Sequence, residues 1–152
     1  MTLIYLLHHA EAVDASVDPQ RPLSPGGRAH AARLAADAAA RGVRPDVIWH
    51  SGKLRARQTA DALRSACNPS AEFSAIRGLQ PTDPPEWIRD RLVGDEREIL
   101  LAGHFPSLPR ILHLLVTGAS DGGAEGFPLH GLVALERHDD VWIVKWRLEG
   151  GA

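Results

Sequence analysis

The stretch that decides the fold is LIYLLHHAEA, residues 3–12. Its five leading apolar residues predict a buried β-strand, and two histidines, an alanine and a glutamate follow at once. In an open α/β sheet the reactive groups lie just past the carboxyl ends of the strands, so His8 and His9 stand where chemistry is expected. Neighbouring side chains of a strand point to opposite faces, so only one of the two enters a given site unless the chain turns there. On this stretch alone, the two histidines fit an ordinary loop equally well.

Outward from this stretch, predicted strands alternate with predicted helices. Strands are expected at 3–7, 45–50, 71–76, 98–103, 132–136 and 141–148, and helices at 25–41, 52–66, 84–93 and 108–115. The third strand is predicted to lie at an edge of the sheet, and the last two are predicted to form a hairpin. This order predicts an α/β fold, a three-layer α/β/α sandwich with a mostly parallel sheet and an antiparallel C-terminal hairpin.

Helix boundaries are predicted from capping residues. Ser24 precedes a proline and predicts the start of the first helix, and Ser51, Asp83 and Ser107 are predicted to cap the three later helices. Gly118 is predicted to end the last helix.

Composition limits the class of protein. The 152 residues fit one domain, residues 1–152, that can bury its own core. A net charge of −2, from 17 basic and 19 acidic residues, favours neither nucleic acid nor a membrane surface as a partner. Cys67 is the only cysteine, so no intramolecular disulfide can form. With no leader and no apolar run of about 18 residues, a cytoplasmic protein is expected.

Polar groups follow three of the predicted strands. These groups are His8–His9, His50–Ser51 with a basic helix start behind it, and Gly103–His104. If the strands are parallel, their carboxyl ends share one edge of the sheet. Two histidines and an arginine beside helix N-termini would then form an electropositive pocket suited to a phosphoryl group.

Other site chemistries fit the pattern less well. The histidines lack the short spacing of zinc ligands, so no metal site is predicted. No Gly-x-Ser-x-Gly elbow surrounds Ser51, and no Walker loop is present. His30, His113, His130 and His138 are interpreted as surface or packing residues, and His50 as a neighbour of the site or a surface residue.

Four segments together resemble the histidine phosphatase superfamily, and most closely the small phosphohistidine phosphatases typified by SixA. The segments are HHAEA at 8–12, RPLS at 21–24, SGKLRARQTA at 51–60 and AGHFP at 102–106. They come in the family's order and at fitting spacing, from Leu3 to about Leu115. The resemblance implies a Rossmann-like sandwich and a phosphatase that needs neither metal nor other cofactor.

The resemblance also implies roles for individual residues. His9 would be the nucleophile that is phosphorylated during turnover, since a neutral imidazole is a good nucleophile near pH 7. Arg55 would hold the phosphoryl oxygens, and His104 would donate to the same oxygens in the transition state. Arg21 would reach the pocket from its loop, and Glu11 would orient His9 or a water. Ser51, which opens the second motif, is the remaining candidate for substrate binding.

The first motif departs from the family pattern at His8. Members normally carry arginine there, which supplies a permanent charge and a bidentate fork. A protonated His8 could replace part of that charge, which predicts weaker activity with a more acidic optimum. Alternatively, Arg21 or Arg57 compensates. Ala10 in place of the family's glycine is a smaller change.

A second departure concerns the leaving group. Relatives that act on alcohol phosphates use a carboxylic acid to protonate it, and here the nearest candidate, Asp83, is assigned to a helix cap. Imidazole leaves more readily than an alkoxide, so protein phosphohistidine is the favoured substrate, for example in a phosphotransfer domain of a signalling kinase. Two alternatives stay open: a non-catalytic module that binds phosphate or phosphoprotein, and a phosphatase of small phosphorylated molecules.

Overall fold

The computed structural model describes residues 1–123 and 125–150. The strands and helices alternate along the chain as predicted. The strands are β1 (Thr2–His8), β2 (Val47–His50), β3 (Glu72–Ala75), β4 (Ile99–Gly103), β5 (Leu132–His138) and β6 (Val141–Leu148). The helices are α1 (Pro25–Ala40), α2 (Leu54–Cys67), α3 (Glu86–Leu92) and α4 (Ser107–Thr117).

The strands form one mixed sheet in the order β3-β2-β4-β1-β5-β6. β1, β2, β3 and β4 are parallel to one another, whereas β5 runs antiparallel to β1 and forms a hairpin with β6. β3 lies at an edge, as predicted. The predicted α/β class, its mostly parallel sheet and its C-terminal hairpin are therefore confirmed.

Two hydrophobic clusters cover the two faces of the sheet. Ile4 and Leu6 of β1 belong to the cluster on the side of α3 and α4. Tyr5 and Leu7, which alternate with them, belong to the cluster on the side of α1 and α2. The uninterrupted apolar run of β1 is explained by this arrangement, because a central strand with helices on both faces buries every side chain.

Helix ends follow the prediction only in part. Ser24 caps α1 by accepting a hydrogen bond from the Gly27 amide at 3.0 Å, and Gly118 ends α4 in the left-handed conformation at φ 78°. The predicted caps Ser51, Asp83 and Ser107 are wrong: Lys53, Pro85 and Pro106 precede the helices and cap them with no side chain. Among the described residues, no helix is both long and apolar enough to cross a membrane.

The side chains of the three wrongly predicted caps have other partners. Ser51 Oγ contacts His104, and Ser107 Oγ donates to the His104 carbonyl at 2.9 Å. The Asp83 carboxylate accepts from the amides of Gly78 and Gln80, both at 3.0 Å, and so holds the loop before α3. The local sequence does not distinguish these hydrogen bonds from helix capping, because the partners of the three side chains lie outside the helices they were predicted to cap.

Candidate active site

The carboxyl ends of β1, β2 and β4 meet at one edge of the sheet. His8 is level with Gly103 in the β1–β4 pair, and His50 is level with Ala102 in the β2–β4 pair. The backbone continues this pairing one residue further, because the His9 amide donates to the Gly103 carbonyl at 3.2 Å. The polar groups predicted to share an edge are thus brought together.

His9 presents one free ring nitrogen. Its Nδ1 lies 2.7 Å from the Ala10 carbonyl oxygen, which can only accept, so Nδ1 carries the proton. The lone pair of the neutral ring is therefore on Nε2. Burial lowers the pKa of His9 to about 4, the Ala10 hydrogen bond acts in the opposite direction, and the Arg55 charge lowers it further. At neutral pH the ring is therefore uncharged, the state in which an imidazole can act as a nucleophile.

His104 lies beside His9, with 5.0 Å between the ring centroids. It is 2% exposed, and its Nε2 is 2.7 Å from Ser51 Oγ. Burial, followed by the nearby His9, lowers the pKa of His104 to about 3. Its Nδ1 is buried and has no hydrogen-bond partner among the described residues.

Two arginines supply permanent charge to this pocket. Arg55 lies in the first turn of α2, and its Nε is also buried without a partner in the part of the chain described here. Burial, and then the charge of Arg21, lowers the Arg55 pKa. Arg21 sits at φ 50° with its Nε donating to the Val13 carbonyl at 3.0 Å, and its charge also lowers the pKa of His9 and His104. The loop therefore brings Arg21 to the pocket.

His8 is not a charged substitute for arginine in the free protein. Its ring is stacked between Phe105, at 4.0 Å and 5°, and His130, at 4.9 Å and 3°. Its Nδ1 accepts from the His130 amide at 2.8 Å, so the neutral ring carries its proton on Nε2. Burial, followed by the neighbouring His9 and His130, lowers the His8 pKa to about 2. In the free site His8 is therefore neutral, because stacking that the sequence does not show removes the ring from water. That His8 gains a proton beside a bound phosphate stays a prediction.

The Glu11 carboxylate, which was expected to orient His9 or a water, is bonded to Ser24 instead. Its exposed carboxylate accepts from Ser24 Oγ at 2.8 Å, and its backbone carbonyl accepts from the Ser24 amide at 3.0 Å. Glu11 thus joins the first motif to the N-terminus of α1 and has no hydrogen bond to His9 among those described. Gly27 permits this contact, because a Cβ atom there would lie 2.0 Å from the Glu11 carbonyl oxygen.

His130 is a site residue that the sequence interpretation missed. Its Nδ1 donates to the His9 carbonyl at 2.6 Å, and its backbone, at φ 55°, presents the amide to His8. The sequence could have indicated this position. An antiparallel strand begins at the edge of the sheet where its parallel neighbours end, so a residue two positions before β5, such as His130, is expected at the site. The prediction considered only carboxyl ends.

The second motif also contains positioning residues that the sequence did not reveal. Thr59 Oγ1 accepts from the Ala10 amide at 2.9 Å and donates to the Arg55 carbonyl at 2.8 Å. Gln58 Oε1 accepts from the Leu23 amide at 2.8 Å. One turn of α2 therefore ties together the backbone next to His9, the helix turn that carries Arg55, and the Arg21 loop.

The cluster of histidines has the spacing of a metal site, although no such site was predicted. One ring nitrogen from each of His8, His9 and His130 lies within 4.8 Å of the others. His8 does not suit a cation, since its Nδ1 accepts from an amide and its Nε2 is protonated. The charges of Arg21 and Arg55 further favour an anion over a metal ion.

A basic groove continues from the pocket along the start of α2. Its lining includes the cationic side chains of Lys53, Arg55 and Arg57, together with Pro19 and Gln20 from the Arg21 loop. No carboxylate is among the described residues that line it. The groove is therefore suited to a negatively charged surface or group adjoining the phosphate.

Comparisons with known proteins agree with this geometry. The model of the histidine phosphatase superfamily (branch 1) matches residues 4–91, more than half of the chain. The protein therefore belongs to the histidine phosphatase superfamily, and the resemblance seen in the sequence is confirmed. No curated protein matches the sequence significantly.

Several solved phosphatases share the fold. A protein of Agrobacterium tumefaciens described as a phosphohistidine phosphatase SixA is 28% identical, with a TM-score of 0.78 over 97% of both chains. A protein histidine phosphatase SixA complexed with tungstate is 17% identical, with a TM-score of 0.81 over 98% of this chain and 97% of its own. A mycobacterial glucosyl-3-phosphoglycerate phosphatase complexed with VO3 is also 17% identical, with a TM-score of 0.72 over 98% and 100%. At these lower identities the likeness concerns the fold alone.

Proposed function

We propose that the protein is a metal-independent phosphatase that hydrolyses phosphohistidine in proteins through a phosphoryl intermediate on His9. The observation that carries the proposal is the Nε2 atom of His9 beside two buried groups, Arg55 Nε and His104 Nδ1, for which the described residues offer no hydrogen-bond partner. Buried polar groups are rarely left unpaired, and a phosphoryl group with three oxygens would supply both acceptors.

The reaction follows from these groups. His9 Nε2 attacks the phosphorus atom while the bond from phosphorus to the substrate's imidazole breaks. The leaving ring, which carries a proton on its other nitrogen, takes the electron pair and departs as neutral imidazole. Water then attacks the phosphoryl group on His9, inorganic phosphate departs, and the electron pair returns to His9 Nε2. Arg55 and His104 hydrogen-bond the oxygens in both transition states, where negative charge is redistributed.

Two features favour phosphohistidine as the substrate. The carboxylates of Glu11 and Asp83 are occupied by Ser24 and by loop amides, so neither is free to protonate an alkoxide. An imidazole leaving group needs less help of this kind. The basic groove beside Arg55 favours a substrate with an acidic surface next to its phosphorylated side chain.

A second candidate function is supported by His8. The family normally has an arginine at this position. His8 does not replace its charge in the free protein, because the ring is stacked and neutral. A pocket that keeps Arg55 and His104 but transfers phosphate too slowly would serve as a module that binds phosphorylated proteins.

The test compares phosphate release from a phosphohistidine peptide and from an aryl phosphate, for the parent, His9→Ala and His104→Ala. His113→Ala, on α4, is the control. We expect the peptide to be the better substrate, His9→Ala to be inactive, His104→Ala to be strongly impaired, and the control to match the parent. Preference for the aryl phosphate would favour a small-molecule phosphatase. Tight binding of the peptide without phosphate release would favour the binding module, and full activity of His9→Ala would overturn the mechanism.

A further inference from the structure

His130 is held in a defined orientation at the mouth of the pocket. Its Nδ1–H donates to the His9 carbonyl at 2.6 Å, so the neutral ring has its lone pair on Nε2. The ring is partly exposed, in contrast to His8 and His104, which are buried. A histidine at φ 55° adopts a backbone conformation that few residues other than glycine favour, and such conformations are concentrated at functional sites.

The ring is also close to that of His9. The two ring centroids are 6.0 Å apart, and one ring nitrogen of His130 lies within 4.8 Å of one ring nitrogen of His9. We propose that His130 is the acid–base residue of the reaction, exchanging a proton with the leaving group and then with the attacking water through Nε2. This inference rests on the proposed phosphatase function and adds a residue to it.

Proton and electron counts balance in both steps. In the first, His9 Nε2 bonds to phosphorus, the bond to the leaving group breaks, and the leaving atom takes a proton from His130 Nε2, which becomes neutral. In the second, neutral His130 removes a proton from water as its oxygen attacks phosphorus. The phosphorus–His9 bond then breaks, its electron pair returns to Nε2, and His130 is again protonated for the next cycle.

The other titratable groups around the pocket are less suited to this role. Nε2 of His104 is occupied by Ser51, and Nδ1 of His8 by an amide. His30 of α1 touches His130 edge-on at 6.3 Å between centroids, and its Nε2 is buried. The cations Arg21 and Arg55 act on His9 beside it and cannot serve as bases. Histidine is the side chain that most readily gives and takes a proton near neutral pH.

His130→Asn separates acid–base chemistry from positioning. The Asn side-chain NH2 can replace Nδ1–H as donor to the His9 carbonyl, asparagine tolerates φ > 0, and the backbone amide that serves His8 remains. Only Nε2 is lost. His130→Ala removes the donor as well, and His138→Asn, at the far end of β5, is the matched control.

The variants are assayed with p-nitrophenyl phosphate, with phenyl phosphate, whose leaving group is more basic, and with the phosphohistidine peptide. We expect His130→Asn to lose about 100-fold in turnover on phenyl phosphate and less on p-nitrophenyl phosphate. With p-nitrophenyl phosphate, whose leaving group needs little help from an acid, the variant should accumulate phosphorylated enzyme.

Each result decides between specific claims. If His130→Asn matches the parent while His130→Ala is impaired, His130 is only a positioning residue and the acid–base proposal is wrong. If both match the parent, His130 has no role in turnover. If the parent releases no phosphate from any of the three substrates, the proposed function fails and the role of His130 fails with it.

Discussion

Ser51 Oγ lies 2.7 Å from His104 Nε2, although 53 residues separate the two along the chain. The Lys53 amide donates to the same hydroxyl oxygen at 3.3 Å. With the hydroxyl proton directed at Nε2, the neutral His104 ring carries its own proton on Nδ1, the buried nitrogen without a partner. Ser51 would thus set His104 as a donor to a phosphoryl oxygen.

We expect Ser51→Ala to lower kcat about 10- to 100-fold, because His104 would no longer be fixed in one tautomer and orientation. Ser51→Thr, which keeps a hydroxyl, should retain most of the activity. Steady-state kinetics on the phosphohistidine peptide check this, and a wild-type kcat for Ser51→Ala would contradict it.

Thr59→Val tests the link between α2 and the nucleophile. The substitution keeps the shape of the side chain but leaves the buried Ala10 amide without its acceptor, which costs about 1–3 kcal/mol of unfolding free energy. Because Ala10 O also orients the His9 ring, kcat should fall at least about 10-fold. Urea unfolding and kinetics measure the two effects. Thr59→Ser keeps the oxygen and is the control; equal losses in both variants would contradict the assignment of the effect to the lost hydrogen bond.

Gly27→Ala tests the close approach of α1 to the first motif. A Cβ atom at Gly27 would lie 2.0 Å from the Glu11 carbonyl oxygen, whereas at the neighbouring Gly26 the nearest atom is Ser24 Oγ at 4.0 Å. We expect Gly27→Ala to destabilise the protein by about 1–3 kcal/mol, as overpacking does. Gly26→Ala should be neutral or slightly stabilising, since alanine favours a helix. Thermal unfolding of both variants checks the prediction, and equal midpoints would refute it.

Stability should depend on pH through the histidines whose pKa is lowered by burial, which are His8, His9 and His104 of the site together with His30 and His50. Burial lowers the pKa of His8, His9 and His104 to about 2, 4 and 3, whereas in the unfolded chain each returns to about 6.5. Below pH 6.5 the unfolded state therefore binds more protons, and stability is lost as the pH falls, by up to about 1.4 kcal/mol per pH unit for each ring.

Urea midpoints at several pH values between 7.5 and 5 measure this loss. His104→Gln should make the dependence shallower, since one of the rings that the fold keeps neutral is removed. A flat midpoint for the parent over this range would show that the rings are not held neutral by the fold.

Much of the fold was predictable because it depends on patterns of neighbouring residues. The apolar run of β1 and the alternation of strands and helices predicted a sheet with helices on both faces, which is observed. The Ser24 cap and the Gly118 stop were also predictable, since each acts within one helix turn. The role of Asp83 was not predictable, because its carboxylate accepts hydrogen bonds from amides of the preceding loop rather than from amides of α3.

The residues of the candidate site also fall into a group that the sequence predicts and a group that it does not. Strand ends predicted that His9 and His104 meet, and the resemblance added Arg55 and Arg21. The state of His8 could not be predicted, because it depends on stacking with Phe105 and a ring more than 120 residues away. His130 was missed for a different reason: β5 is antiparallel to β1 and begins at the edge of the site, but only the carboxyl ends of strands were considered.

Capture of the phosphorylated enzyme tests the central claim most directly. The parent is mixed with phosphohistidine peptide, quenched within one turnover at alkaline pH, digested and analysed by mass spectrometry, with His9→Ala in parallel. The account predicts a phosphoryl group on His9 that is stable to base and lost in acid, and none in the variant. Release of phosphate from the peptide with no phosphoryl group on His9, or an equal phosphoryl signal in His9→Ala, would contradict it.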